Sequence, residues 1–66
     1  MKVCILLAGE RHELEMDEGS SIEDAIRSLG GYPDAHLFLR DGSPVPMTLP
    51  LQDGIEIEAR RIASKG

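Results

Sequence analysis

A single short helical stripe limits what this chain can become. Ile22, Ala25, Ile26 and Leu29 fall at i, i+3, i+4 and i+7. That spacing is one face of a helix of about two and a half turns. Alone in water such a helix melts, so it must lie on something that buries its apolar side. Ser20 and Ser21 precede it, with Glu23 and Asp24 three residues after each, and either pair fits a capping box. Acidic residues also suit the positive end of a helix. Gly30-Gly31 then ends the stripe with residues that tolerate positive φ.

The rest of the sequence supplies the surface for that helix. Residues 2–8 are an apolar run of strand length, and Gly9-Glu10 reads as a tight turn. Residues 11–16 alternate strictly, with His12, Leu14 and Met16 on one side and Arg11, Glu13 and Glu15 on the other. A period of two predicts a strand with one wet face, so the first two elements form a hairpin. Residues 35–40 predict a third strand, with Leu37 and Leu39 on one side and His36 and Phe38 on the other. Asp41-Gly42 fits a hairpin turn. Pro44, Pro46 and Pro50 crowd the next stretch, leaving Val45 a very short edge strand at most. Leu49 to Gln52 fit one tight helical turn, and Asp53-Gly54 another turn. Residues 55–62 give the last strand, with Ile55, Ile57 and Ala59 inward and Glu56, Glu58 and Arg60 outward.

The expected order is β-β-α-β-(β)-β. That order predicts an α+β domain, a four- to five-stranded mixed sheet packed on one helix, and resembles the β-grasp (ubiquitin-like) fold. The two most apolar strands, the first and the last, belong side by side at the centre. Residues 1–62 make the domain, and Ala63-Ser64-Lys65-Gly66 is expected to be a flexible C-terminal tail.

Several function classes are disfavoured by composition. Twelve acidic residues against 7 basic ones give a net charge of −5. Nucleic-acid binding needs a cationic footprint and is helped by stacking aromatics, and here only Tyr32 and Phe38 are aromatic. The acidic surface fits docking onto a basic partner, or simply solubility. The run Val3 to Ala8 is too short for a signal peptide or a membrane span, so a cytoplasmic protein is expected. Cys4 is the only cysteine and excludes an internal disulfide. It sits in the most apolar strand with no His or Arg next to it in sequence, which suits a packed thiol better than a nucleophile. His12 and His36 lack metal-ligand spacing, so no metal is expected. No phosphate loop, nucleophile elbow or paired-carboxylate motif appears, and the chain is not expected to be an enzyme.

The run Arg40-Asp41-Gly42-Ser43-Pro44-Val45-Pro46, the run Leu51-Gln52-Asp53-Gly54-Ile55-Glu56-Ile57 and the ending Arg61-Ile62-Ala63-Ser64-Lys65-Gly66 carry a family likeness. They resemble the "N/D-G-x-x-V-P" turn, the "L-x-D-G-D-x-V" approach to the last strand and the "R-V-V-S-G-G" ending of the ubiquitin-like sulfur carriers and small modifiers. That group comprises the ThiS and MoaD families and the small archaeal modifier proteins. The resemblance implies that Gly66 is the working position. Its carboxylate would be adenylated by an activating enzyme of the ubiquitin-activating, MoeB or ThiF type. It would then become a thiocarboxylate for a sulfur-acceptor enzyme or an isopeptide bond to a lysine of a target protein. No cofactor is expected to be bound, and the ATP would be used by the partner. A terminal glycine suits the chemistry, because no Cβ blocks attack on its carbonyl carbon. Four extended residues after Ile62 reach about 13–14 Å, enough to enter a neighbouring cleft.

Lys65 occupies the place of the family's other glycine. It favours the alternative expectation, a β-grasp protein-interaction module that does not conjugate. In either case the sheet face away from the helix is a candidate docking surface, with His36, Phe38 and Leu6 beside Arg60. Alternatively, Phe38 is half-buried against the proline-rich loop.

Overall fold

The computed structural model describes residues 1–62. Five strands and one helix follow in the order β1 (Lys2–Leu7), β2 (Glu10–Glu15), α1 (Ile22–Ser28), β3 (His36–Arg40), β4 (Ser43–Val45) and β5 (Glu56–Arg61), with a 3₁₀ turn at Pro33–Ala35. They form one mixed sheet in the order β2-β1-β5-β3-β4. The central strands β1 and β5 run parallel, Ile5 opposite Ile57, and every other pairing is antiparallel. This is the β-grasp arrangement, with α1 across one face of the sheet.

Local chemistry fixes the elements. The β1–β2 and β3–β4 hairpins each turn on two residues of positive φ: Ala8 (53°) and Gly9 (78°), then Asp41 (52°) and Gly42 (81°). Two-residue turns of this hand match the strand twist, and glycine reaches them without a Cβ penalty. At the start of α1 the Asp24 carboxylate accepts from the Ser21 backbone N–H at 2.9 Å and from its hydroxyl at 3.2 Å. At its end Gly31 N–H donates to Ile26 O (3.0 Å) and Gly30 N–H to Arg27 O (2.9 Å). That is a Schellman closure, with Gly30 at φ 81°.

Leu49 to Gln52 do not form a helical turn. Pro50 bridges Ser21, and the chain before it runs past the start of α1. There Leu49 O accepts from Ile22 N–H (3.1 Å) and Met47 O from Glu23 N–H (2.9 Å). The first helical N–H groups have no partner within their own helix, and these carbonyls satisfy two of them.

The core lies between α1 and the sheet. Ile22, Ala25 and Ile26 from the helix meet Val3, Ile5, Phe38, Ile57 and Ala59 from the strands. Phe38 is 3 % exposed and belongs to this core. It therefore does not lie on the open face, and His36, two residues earlier, shares its side. The cause is register: Phe38 pairs with Ala59, an inward residue of β5 whose small side chain leaves room for a ring. Leu37 and Leu39 then take the open face, opposite Arg60 and Glu58.

Candidate functional site

The open face is set by strand register. Leu6 sits between Arg11 of β2 and Glu58 of β5, and Leu39 lies between Glu58 and Pro44. Leu37 pairs with Arg60. An apolar band thus crosses the sheet, bordered by charges that largely pair among themselves. Arg11 Nη1 meets Glu56 Oε2 at 2.7 Å, and Arg60 Nη2 meets Glu58 Oε2 at 2.9 Å. Such exposed pairs stabilise by only about 0–1 kcal/mol, so a partner can displace them cheaply.

Exposed apolar side chains concentrate where β5 ends. Among the described residues the large ones are Tyr32 (77 % exposed), Leu37 (41 %) and Ile62 (45 %). Backbone bonds gather them at one end of the sheet. Ile62 N–H donates to Ala35 O at 3.1 Å, and Ala35 N–H donates to Tyr32 O at 3.0 Å. The His36 ring nitrogen Nδ1 lies 3.0 Å from that same Tyr32 oxygen. A groove of 390 Å³ opens beside them, lined by Leu7, Leu29, Tyr32, His36 and Arg61. This end of the sheet thus combines the Arg61 guanidinium with an apolar rim.

Of the docking residues expected from sequence, Leu6 and Arg60 lie on the open face. His36 lies on the opposite side near the end of the sheet, and Phe38 is interior. Leu37, Tyr32 and Ile62 take their place as exposed apolar groups. Tyr32 carried a signal, since an aromatic between a glycine pair and Pro33 has little local structure to bury it. The tail residues Ala63, Ser64, Lys65 and Gly66 lie outside the described residues.

Cys4 is buried, but on the open face rather than in the core beneath α1. Its neighbours in register are Glu13 and Glu56, and its Sγ is 4.0 Å from Glu56 Oε2. Burial pushes the thiol pKa up. Arg11 opposes that, while Glu56 and Glu13 add to it. The thiol therefore stays protonated at neutral pH and is a poor nucleophile. Alkylation of native protein by iodoacetamide at pH 7.5 is expected to be at least about tenfold slower than that of urea-unfolded protein. Equal rates would show a reactive cysteine. The same shift has a sign in stability: the contribution is complete below the thiol's unfolded pKa of about 8.5 and is lost as pH rises through its higher folded value.

Among the described residues no three His, Cys, Asp or Glu side chains come together in a way that could hold a metal ion. No described helix is long and apolar enough to cross a membrane.

The architecture is the ubiquitin-like fold. No family model and no curated protein sequence matches the chain. Solved structures do: a ubiquitin-like protein from the hyperthermophilic archaeon Caldiarchaeum subterraneum superposes with a TM-score of 0.63 at 18 % identity. The match covers 97 % of this chain and 99 % of that one. At that identity the likeness is one of fold.

Proposed function

We propose that this chain is a ubiquitin-like sulfur carrier or protein modifier of the cytoplasm, with the Gly66 carboxylate as its reactive group. It is the substrate of a partner enzyme of the ubiquitin-activating, MoeB or ThiF type rather than an enzyme itself. That partner would join the carboxylate to AMP from ATP and release pyrophosphate. Attack by a sulfide-level sulfur would form the C–S bond of a thiocarboxylate and expel AMP. Attack by a lysine amine would instead form an isopeptide bond, again expelling AMP and giving up a proton.

The observation supporting this reading is the apolar rim of Tyr32, Leu37 and Ile62 where β5 ends. An enzyme that acts on the residues after Ile62 must grip the globule close by, and this is where apolar contact area is on offer. The alternative, a β-grasp interaction module that does not conjugate, is favoured by Lys65 in place of a second glycine.

The test uses the full chain with ATP, sulfide and the adenylating enzyme of its own cell, read by intact mass. A gain of about 16 Da, oxygen replaced by sulfur, is expected, and its complete absence together with that of any adenylate counts against the proposal. In the same assay Leu37→Asp is expected to raise KM roughly tenfold with kcat nearly unchanged, since the loss is in docking rather than chemistry. An unaltered KM would remove the rim from the account.

A further inference from the structure

We infer that the free edge of β2 is a second binding site, one that accepts an antiparallel β-strand alternating apolar and basic residues. The two edges of this sheet are built differently. The β4 edge is three residues long and contains Pro44, which has no N–H to offer, with Pro46 just beyond it. Short length and proline are the usual protections of an edge. The β2 edge is six residues long and has no proline.

Its hydrogen-bonding groups can be assigned from the ladder. Met1 and Met16 exchange both backbone bonds, at 2.9 and 2.8 Å. In an antiparallel pair bonded and non-bonded residues alternate. Leu14, His12 and Glu10 therefore point their N–H and C=O groups at β1, while Glu15, Glu13 and Arg11 point theirs outward. Six main-chain groups are left in a row for an incoming strand.

The side chains determine which strand fits. On the helix side His12, Leu14 and Met16 are only half-buried, leaving a ledge for apolar residues. On the open side Glu13 and Glu15 are largely exposed. Glu15 lies 3.2 Å from the N-terminal ammonium, and Glu13 reaches only Arg11 Nε, at 3.8 Å. Arg11 itself is drawn to Glu56. Residues of the incoming strand that face these carboxylates should be Lys or Arg. A second copy is disfavoured as occupant, because it would bring three carboxylates and one guanidinium per strand against the same set. Antiparallel addition is favoured by its slightly better pairing per residue. This site is separate from the end of β5 and does not depend on the activation of Gly66.

The test is fluorescence anisotropy of a labelled peptide alternating valine and lysine, titrated with the full chain. Saturable binding is expected, with a valine–glutamate peptide at least roughly tenfold weaker. Opposite residues of an antiparallel pair share a face, so the lysine amides point at β2. N-methylation at the lysines should abolish binding, and N-methylation at the valines should leave it. Glu13→Pro removes an outward N–H without touching the β1 ladder and should also abolish binding, with an unchanged circular dichroism spectrum. The peptide arm decides the matter even if that variant folds poorly. The inference is overturned by no binding, by equal binding of the acidic peptide, by insensitivity to the position of methylation, or by a sedimenting dimer that Glu13→Pro dissolves.

Discussion

Ile57→Ala is expected to lower the thermal midpoint by roughly 8–40 °C, from a loss of about 2–5 kcal/mol at about 4–8 °C per kcal/mol in a domain of this size. Ile57 has no exposed surface and sits on β5, a central strand. It pairs with Ile5 and belongs to the core that includes Ile22 and Ile26 of the helix. All four are fully buried, so truncating one leaves a void bordered by rigid neighbours on two layers. A domain this small holds only about 3–5 kcal/mol of net stability, so much of the population should be unfolded at 37 °C. Leu37→Ala, on the open face, is the control and should shift the midpoint by only a few degrees. Melting followed by circular dichroism separates the two. A shift below about 5 °C for Ile57→Ala would mean that the core closes over the gap, contrary to its packing.

The same periodicities explain both the legible and the hidden parts of the sequence. β1 and β5 were legible as central strands because each is apolar on its inward side, and β1 nearly throughout. The helix was legible from its stripe and from Gly30-Gly31, which close it as expected. The facing of β3 was not legible. Both of its alternating sets hold apolar residues, so a period of two separates Leu37 and Leu39 from His36 and Phe38 without saying which set is inside. Pairing with Ala59 decides that, and pairing is a property of two strands rather than one. The loop of residues 46–51 was obscure for a similar reason: its prolines announce irregular backbone, but its role is to hold carbonyls over the start of a helix distant in sequence. At the candidate site the open-face positions of Arg60 and Leu6 were legible, but the exposed Tyr32, Leu37 and Ile62 were not. Exposure at a sheet's end depends on where strands stop, the least legible feature of a strand pattern.

Deleting Gly66 is expected to abolish activation outright, and Lys65→Gly to speed it at least about tenfold, when adenylate formation is followed with ATP and the activating enzyme. The first effect is complete because the reacting carboxylate would move onto a lysine. Its Cβ and long side chain then crowd the carbonyl carbon that ATP and the sulfur nucleophile must approach. The second is graded, because a side chain one residue back does not remove the reactive group and only hinders its delivery. Neither change touches a residue of the described domain, so both variants should melt at the wild-type temperature, which separates chemistry from folding. The rival reading gives the opposite pattern. A module that binds without conjugating would keep partner affinity within about twofold after either change and lose it on Leu37→Asp. If Gly66 deletion and Lys65→Gly both leave adenylate formation as it was, the reactive group is not at Gly66 and the carrier proposal fails. If adenylate never forms but Leu37→Asp weakens partner binding, the apolar rim at the end of β5 serves docking alone, and Lys65 is then the residue that records the loss of the chemistry.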